Sequence, residues 1–382
     1  MVERATLERW YIRKGIEGSN PSLSAVGGNC MNKISFSLLV LVVVFGLGVL
    51  LVNREYAPGV SLSETSTPPI VAHKVEKPIQ LFFVGDVMLG RYVGQTMDKE
   101  GYDYPYQKLG DMLKGYDLVV ANLEGPVLEK YNYSPESQFQ FSFSPKSLVE
   151  LNKTGFNLVS LGNNHGVDYG NAGAEETRQH LAKTGIAFAG HPVRMSTSTS
   201  VVRRTVHERT ISFISLNATF PSFDEQGATS LVESERSDNP NNFLILAIHW
   251  GEEYKLVANA TQERLARAFV DAGADLIIGH HPHVVQNVEV YKGKAIFYSL
   301  GNFIFDQWFS KDVREQLGIK LILTANSTRF NLVPFYRARM QPVPMVDEQR
   351  QQFLDALADR SSPELAPHIK AGVVSPVFTS WR

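Results

Sequence analysis

Three histidines fall within four positions, His280, His281 and His283, inside the stretch LIIGHHPHVVQ from Leu276 to Gln286. The whole chain carries only 10 histidines, so this clustering asks for a reason. Neutral imidazole is a good ligand for zinc, iron, manganese or copper. Apolar runs on both sides give the stretch the character of a strand end that delivers imidazoles into a cleft. His281 and His283 are two apart, so in an extended segment they face the same side. The competing reading is a surface loop that happens to be rich in histidine, and only partners elsewhere in the chain can decide. There is one cysteine, Cys30. No internal disulfide and no thiolate cluster can form, so a metal site here must use nitrogen and oxygen ligands.

Upstream, four more apolar runs end on polar groups. IQLFFV (79–84) leads to Gly85-Asp86, YDLVVA (116–121) to Asn122-Leu123-Glu124, FNLVSL (156–161) to Asn164-His165, and FLILAI (243–248) to His249-Trp250. Each alone has a structural explanation. Asp86 would serve as a helix cap or turn former, and Glu124 as a turn residue before Gly125-Pro126. Asn164-His165 would satisfy loop backbone, and His249 would pack beside an aromatic ring. Together they supply two acidic oxygens, an amide oxygen and several imidazoles, the inventory of a dinuclear site.

The elements that must position these groups alternate between strand and helix. Helices are expected at 105–115, 145–153, 172–184 and 261–274, the last with Leu265 and Phe269 at i and i+4. Further strands are expected near 210–216 and within KAIFYSLGNFIF (294–305). FQFSF (139–143) alternates, and 220–241 is a polar insert. Strands at 320–325 and 330–336 and a helix at 347–360 complete the sheet and cap the domain. This order predicts an α/β architecture, whose sites lie at strand C-terminal ends.

Hydrophobic content of 43% and charged content of 20% are those of a globular protein, and a net charge of -2 leaves no nucleic-acid footprint. Residues 34–52, ISFSLLVLVVVFGLGVLLV, are 19 in a row without a charge. As a helix they span roughly 28 Å, close to a hydrocarbon core. No A-x-A cleavage pattern follows. We therefore expect a single-pass signal anchor at 31–55 in the cell membrane, with the main domain outside the cytoplasm. A Ser/Thr/Pro-rich linker (56–77) follows. Residues 1–30 show no apolar periodicity, whereas Met31-Asn32-Lys33 opens like an exported protein. Gly18-Ser19-Asn20-Pro21 is what a common tRNA T-arm sequence would encode. The expectation is an over-extended reading frame over 1–30, and a peptide beginning upstream of Met31 in purified protein would overturn it.

The set VGDVMLGR (84–91), NLEGPV (122–127), SLGNNHGVDYG (160–170), IHWGEEY (248–254), IIGHHPHVVQ (277–286) and YSLGNFIFD (298–306) resembles the CapA family. These are poly-γ-glutamate capsule biosynthesis proteins of the calcineurin-like metallophosphoesterase superfamily. The resemblance implies a β-sandwich flanked by helices over 78–310, completed by 311–382. It also implies metal ligands at Asp86, Glu124 (in the bridging place), Asn164, His249, His281 and His283, with His280 the alternate if the register differs by one. A divalent metal is expected, one or two ions of Mn, Fe or Zn. Two ions would activate a water for attack on a phosphoryl or carbonyl centre. His165, oriented by Asp168, would protonate the leaving group. Arg91 would neutralise an anionic substrate, its alternative being a surface salt bridge. Position 88, where the superfamily has the histidine of D-x-H, is Met88. The implied function is synthesis or export of poly-γ-glutamate or a similar anionic polymer. The chain would act either as a hydrolase or as a non-catalytic metal-binding subunit beside other synthesis and export proteins.

Overall fold

The computed structural model describes residues 77–134, 138–324 and 326–375. The expected extension, the anchor and all but the last residue of the linker lie outside the described residues. Among the described residues no helix is long and apolar enough to cross a membrane.

The chain starts in one sheet, builds a second, and returns to the first. The first four strands are β1 (Ile79–Val87), β2 (Leu118–Leu123), β3 (Leu158–Ser160) and β4 (Ala187–Ala189). The next six are β5 (Val201–Val206), β6 (Arg209–Asn217), β7 (Phe243–His249), β8 (Leu276–His280), β9 (Val288–Tyr291) and β10 (Lys294–Phe297). The last five are β11 (Asn302–Ile304), β12 (Glu315–Leu323), β13 (Thr328–Ala338), β14 (Gln341–Pro344) and β15 (Val373–Val374). The first sheet runs β14-β13-β12-β1-β2-β3-β4, with β11 beside β1 and β15 beside β13; the second runs β5-β6-β7-β8-β10-β9. Strands β1 to β4 are mutually parallel, as are β6, β7, β8 and β10. Beyond β1, strands β12, β13 and β14 follow in turn, each antiparallel to its neighbour.

Side chains alternate across a strand, and the buried runs use both faces. Leu81 and Phe83 of β1 join Phe213, Ile245, Ile278 and Phe297 of the second sheet in one core between the sheets. The intervening residues Phe82 and Val84 face outward with Val119 and Val159, toward Leu148, Leu151 and Leu181. Those three belong to helices α2 (Pro145–Thr154) and α3 (Gly170–Thr184), which follow α1 (Arg91–Glu100) in the chain. On the far side, Leu246, Ile248 and Ile277 pack on Val232, Leu265 and Phe269. These belong to α4 (Glu225–Asp238) and α5 (Ala260–Asp271). The result is two sheets face to face with helices on both outer surfaces. Helix α6 (Asp347–Asp359) puts Phe353, Leu354 and Leu357 into the inter-sheet core.

Several local expectations change. The polar insert at 220–241 contains α4, started by Asp224, whose side chain accepts from Gly227 N. Its periodicity is faint because only Ala228, Val232 and Glu235 are buried. The expected helix at 105–115 shortens to a single 3₁₀ turn, Tyr104–Tyr106, followed by Gly110 and Gly115 at positive φ. FQFSF forms no strand; only Phe143 makes a bridge, to Val127. The run 294–305 divides into β10 and β11, which lie in different sheets.

That crossing brings backbone against backbone. A Cβ on Gly85 would stand 1.8 Å from Gly301 O, and one on Gly279 would stand 1.9 Å from Tyr298 O. Glycine at both places lets the crossing segment 298–301 lie against β1 of the first sheet just before Asp86 and against β8 of the second just before His280. Asp86 N then donates to Gly301 O at 3.0 Å.

Candidate metal centre

Because the central strands of both sheets run the same way, their polar C-terminal ends meet at one edge. Asp86 is in register with Asn122 of β2 and Asn302 of β11, and His249 with His280 of β8. Two groups of metal-competent side chains result. In the inner one, Asp86, Glu124 and His249 each offer a ligand atom within 4.8 Å of the others, and all three are buried. In the outer one, Glu253, His281 and His283 do the same, grading from exposed through half-buried to buried. Glu124 joins the two: its Oε1 lies 3.8 Å from His283 Nε2. The Asn164 amide oxygen lies 2.8 Å from His249 Nε2, so it stands at the inner group.

Buried amides hold the inner carboxylates. Asn122 Nδ2 donates to Asp86 Oδ1 at 2.8 Å and lies 3.4 Å from both Glu124 Oε2 and His249 Nδ1. Asn163 Nδ2 in turn donates to Asn122 Oδ1 at 3.0 Å and to Leu123 O at 2.9 Å. His280 Nδ1 is 3.2 Å from Asp86 Oδ1. It therefore lies against the first carboxylate, while His281 and His283 form the outer pair.

The protonation pattern fits cation ligands. Burial pushes the Asp86 carboxyl up, but the imidazoles of His280 and His283 beside it hold it well below the usual carboxylate range. Burial and the neighbouring Asp86 charge push the Glu124 carboxyl well above its ordinary value. Burial, then the nearby imidazole of His281, holds His249 well below the ordinary histidine value. Burial and His283 bring His281 down to about 4. Neutral imidazole is the ligating form. Burial opposes charge on His283, but the Glu124 and Asp86 carboxylates carry it up to about 9. A site that draws a proton this strongly draws a cation by the same field. Glu124 Oε1 and His281 Nδ1 are buried without a hydrogen-bond partner. Polar atoms left so are costly unless another partner binds them. The donor set, imidazole with carboxylate and amide oxygen, suits Mn, Fe or Zn.

His165 stands at the rim with a fixed orientation. Its Nδ1 is 3.0 Å from Asp168 Oδ2, and its Nε2 is 3.9 Å from Glu124 Oε1. Asp168 Oδ2 also accepts from Phe141 N at 2.7 Å, and the Phe141 ring stacks on His165 with centroids 3.9 Å apart. The Arg91 guanidinium lies 4.7 Å from the other ring, Phe141, and is held by Asp306 and by Gln138 O. Arg91 thus has the ion pair that was its structural alternative, and it also backs the stack behind His165. Met88 is fully buried in the outer core, its sulfur accepting from Gly90 N at 3.1 Å.

The structure therefore brings together Asp86, Glu124, Asn164, His165, Asp168, His249, His281 and His283. Sequence reasoning missed Glu253, Asn122 and Asn163. Asn122 had a signal: it sits two residues before Glu124 and shares its side of an extended segment.

A family model described as "Bacterial capsule synthesis protein PGA_cap" matches residues 80–307. The chain is 31% identical over 294 residues to a protein of Bacillus anthracis named capsule biosynthesis protein CapA, covering 72% of this chain and 71% of that one. It is 30% identical over 306 residues to the PGA biosynthesis protein CapA of Bacillus subtilis strain 168, covering 76% and 79%. A probable polyglutamine synthesis accessory protein of Mycobacterium tuberculosis is 23% identical over 277 residues, covering 58% and 73%.

Proposed function

The chain belongs to the PGA_cap family of bacterial capsule synthesis proteins, with a role in capsule polymer synthesis, and we propose that its part there is metal-dependent hydrolysis of a phosphoester or amide bond. One observation carries this reading. The unpartnered, buried Glu124 Oε1 lies between two imidazoles, 3.8 Å from His283 Nε2 and 3.9 Å from His165 Nε2. Cations held by the inner and outer groups would supply Lewis acidity and a water nucleophile usable at neutral pH.

The chain's own residues do the rest. Asp86 and Glu124 provide a buried negative field that holds positive charge. Asn122 lies against both carboxylates, and Asn163 holds Asn122 in place. Asp168 accepts from His165 Nδ1, which leaves Nε2 facing Glu124 to hold a proton for the leaving group. Phe141 keeps that ring in plane. In this reading the substrate is an anionic polymer of the poly-γ-glutamate kind or a phosphorylated precursor. The domain would be displayed outside the cytoplasm on the apolar segment 34–52.

A second reading has one observation behind it: Met88 stands where an additional histidine ligand would be, and its side chain is committed to the outer core. On that reading the site holds metal and polymer without cutting either, as a subunit of a synthesis and export assembly. The deciding experiment uses the purified chain stripped by chelator and reloaded with Mn²⁺, given a phosphodiester and poly-γ-glutamate. We expect hydrolysis of one of them that chelation abolishes and Mn²⁺ restores. His165→Ala should lower kcat by about 10²–10⁴-fold with metal content unchanged. A loaded chain that cleaves neither, and co-purifies with a synthase, would replace the enzyme with the assembly subunit.

A further inference from the structure

We propose that Glu253 is a direct ligand of a second cation, which it would hold together with His281 and His283. The inference rests on the metal-centre reading above and adds a ligand to it. Glu253 belongs to the loop after β7 and is exposed, so its neighbourhood alone would make it an ordinary surface acid. Three independent features of the structure set it at the site.

The first is position. A carboxylate oxygen of Glu253 and one ring nitrogen each of His281 and His283 all lie within 4.8 Å of one another. The Glu253 charge also reaches both imidazoles and the Glu124 carboxyl.

The second is backbone. Tyr254 N donates to Pro282 O at 2.8 Å, and Pro282 lies between the two histidines. Three residues there hold positive φ without being glycine: Tyr254 at 62°, His281 at 97° and His283 at 59°. Backbone of this kind is strained and persists where the surroundings over-determine it. Here it turns a carboxylate and two imidazoles toward one point from two different strand ends.

The third is a buried hydrogen-bond chain that ties the same two segments through side chains. Gln307 Nε2 donates to Tyr254 Oη at 3.1 Å, and Asn302 Nδ2 donates to Gln307 Oε1 at 3.0 Å. Asn302 Oδ1 is then left facing His283 Nδ1 at 2.9 Å. The amide orientations are consistent from end to end. They make His283 Nδ1 the donor and release Nε2 for a cation. The residue next to Glu253 and the histidine beside it are therefore held by one network. A carboxylate on an exposed loop also makes the outer cation the more exchangeable of the two.

The test is metal stoichiometry of the full chain, by elemental analysis after equilibration with Mn²⁺ and removal of free metal. We expect two Mn²⁺ per chain for the unsubstituted protein, one for Glu253→Gln, and two for the neighbouring control Glu252→Gln. Titration should show the outer site weakened by at least about 100-fold in Glu253→Gln, with an unchanged melting profile for the cation-free protein. Two tightly held Mn²⁺ in Glu253→Gln would overturn the proposal, as would a single Mn²⁺ in the unsubstituted chain. A drop from two to one with no hydrolysis by any variant would uphold Glu253 as a ligand while removing the hydrolase reading.

Discussion

The two halves of the candidate metal centre are built differently. The inner half, Asp86, Glu124 and His249, sits at the ends of central strands, fully buried, with the amide of Asn122, itself held by Asn163, on its carboxylates. The outer half, Glu253, His281 and His283, hangs on two loops with positive φ and runs out to the surface. Regular secondary structure sets the first, and crossing hydrogen bonds between loops set the second. The difference teaches where each cation would stay and where it would exchange: a closed, low-dielectric half retains charge, while an open half admits substrate.

Substitutions with unequal expected effects on the two halves test the comparison most sharply. Asp86→Ala removes a ligand of the inner half and the acid that lies 3.2 Å from His280 Nδ1 and 3.4 Å from His283 Nδ1. It should cost both cations and all metal-dependent turnover, read by elemental analysis and hydrolysis assay. His281→Ala should cost only the outer cation. If both variants lose the same number of ions, the halves are not separate.

Acidity offers a finer cut. With no cation bound, the carboxylates hold His283 protonated up to about pH 9. As a ligand it must be neutral, so binding below that pH releases its proton. Affinity of the outer site should rise with pH up to about 9, by about tenfold per unit where one proton is displaced. Calorimetric Mn²⁺ titrations in buffers of different ionisation enthalpy would count that proton. A pH-independent outer site would remove His283 from the ligand set.

The smallest effect concerns the brace between the halves. Gln307→Ala deletes the link from Asn302 to Tyr254 and leaves a buried amide donor without its acceptor. The expected loss is about 1–3 kcal/mol in chemical denaturation, with outer-site affinity reduced and inner-site affinity unchanged. Equal weakening of both sites would show that the brace serves the whole edge.

What the sequence disclosed follows the same division. The inner half was legible because apolar runs such as IQLFFV and FLILAI end on their functional residue, and strand direction alone carries those ends to one edge. Glu253 was not, because its role depends on a backbone bond from Tyr254 to Pro282 that no local pattern announces. Helix α4 was hidden for a related reason, since a 14-residue helix with three buried positions has little apolar rhythm to show. FQFSF alternates without forming a strand. Phe141 and Phe143 are both buried, but Phe141 is spent stacking on His165, and only Phe143 makes a bridge. Family motifs pointed to a metal centre, whereas tertiary hydrogen bonds carry the proposal for what would complete it.

The most direct measurement is an anomalous-scattering crystal structure of the Mn²⁺-loaded protein. The account predicts two anomalous peaks about 3.5–4 Å apart. One should lie among Asp86, Glu124, Asn164 and His249, the other among Glu253, His281 and His283, with Glu124 between them. A single peak, or a second one that Glu253 does not touch, would contradict it.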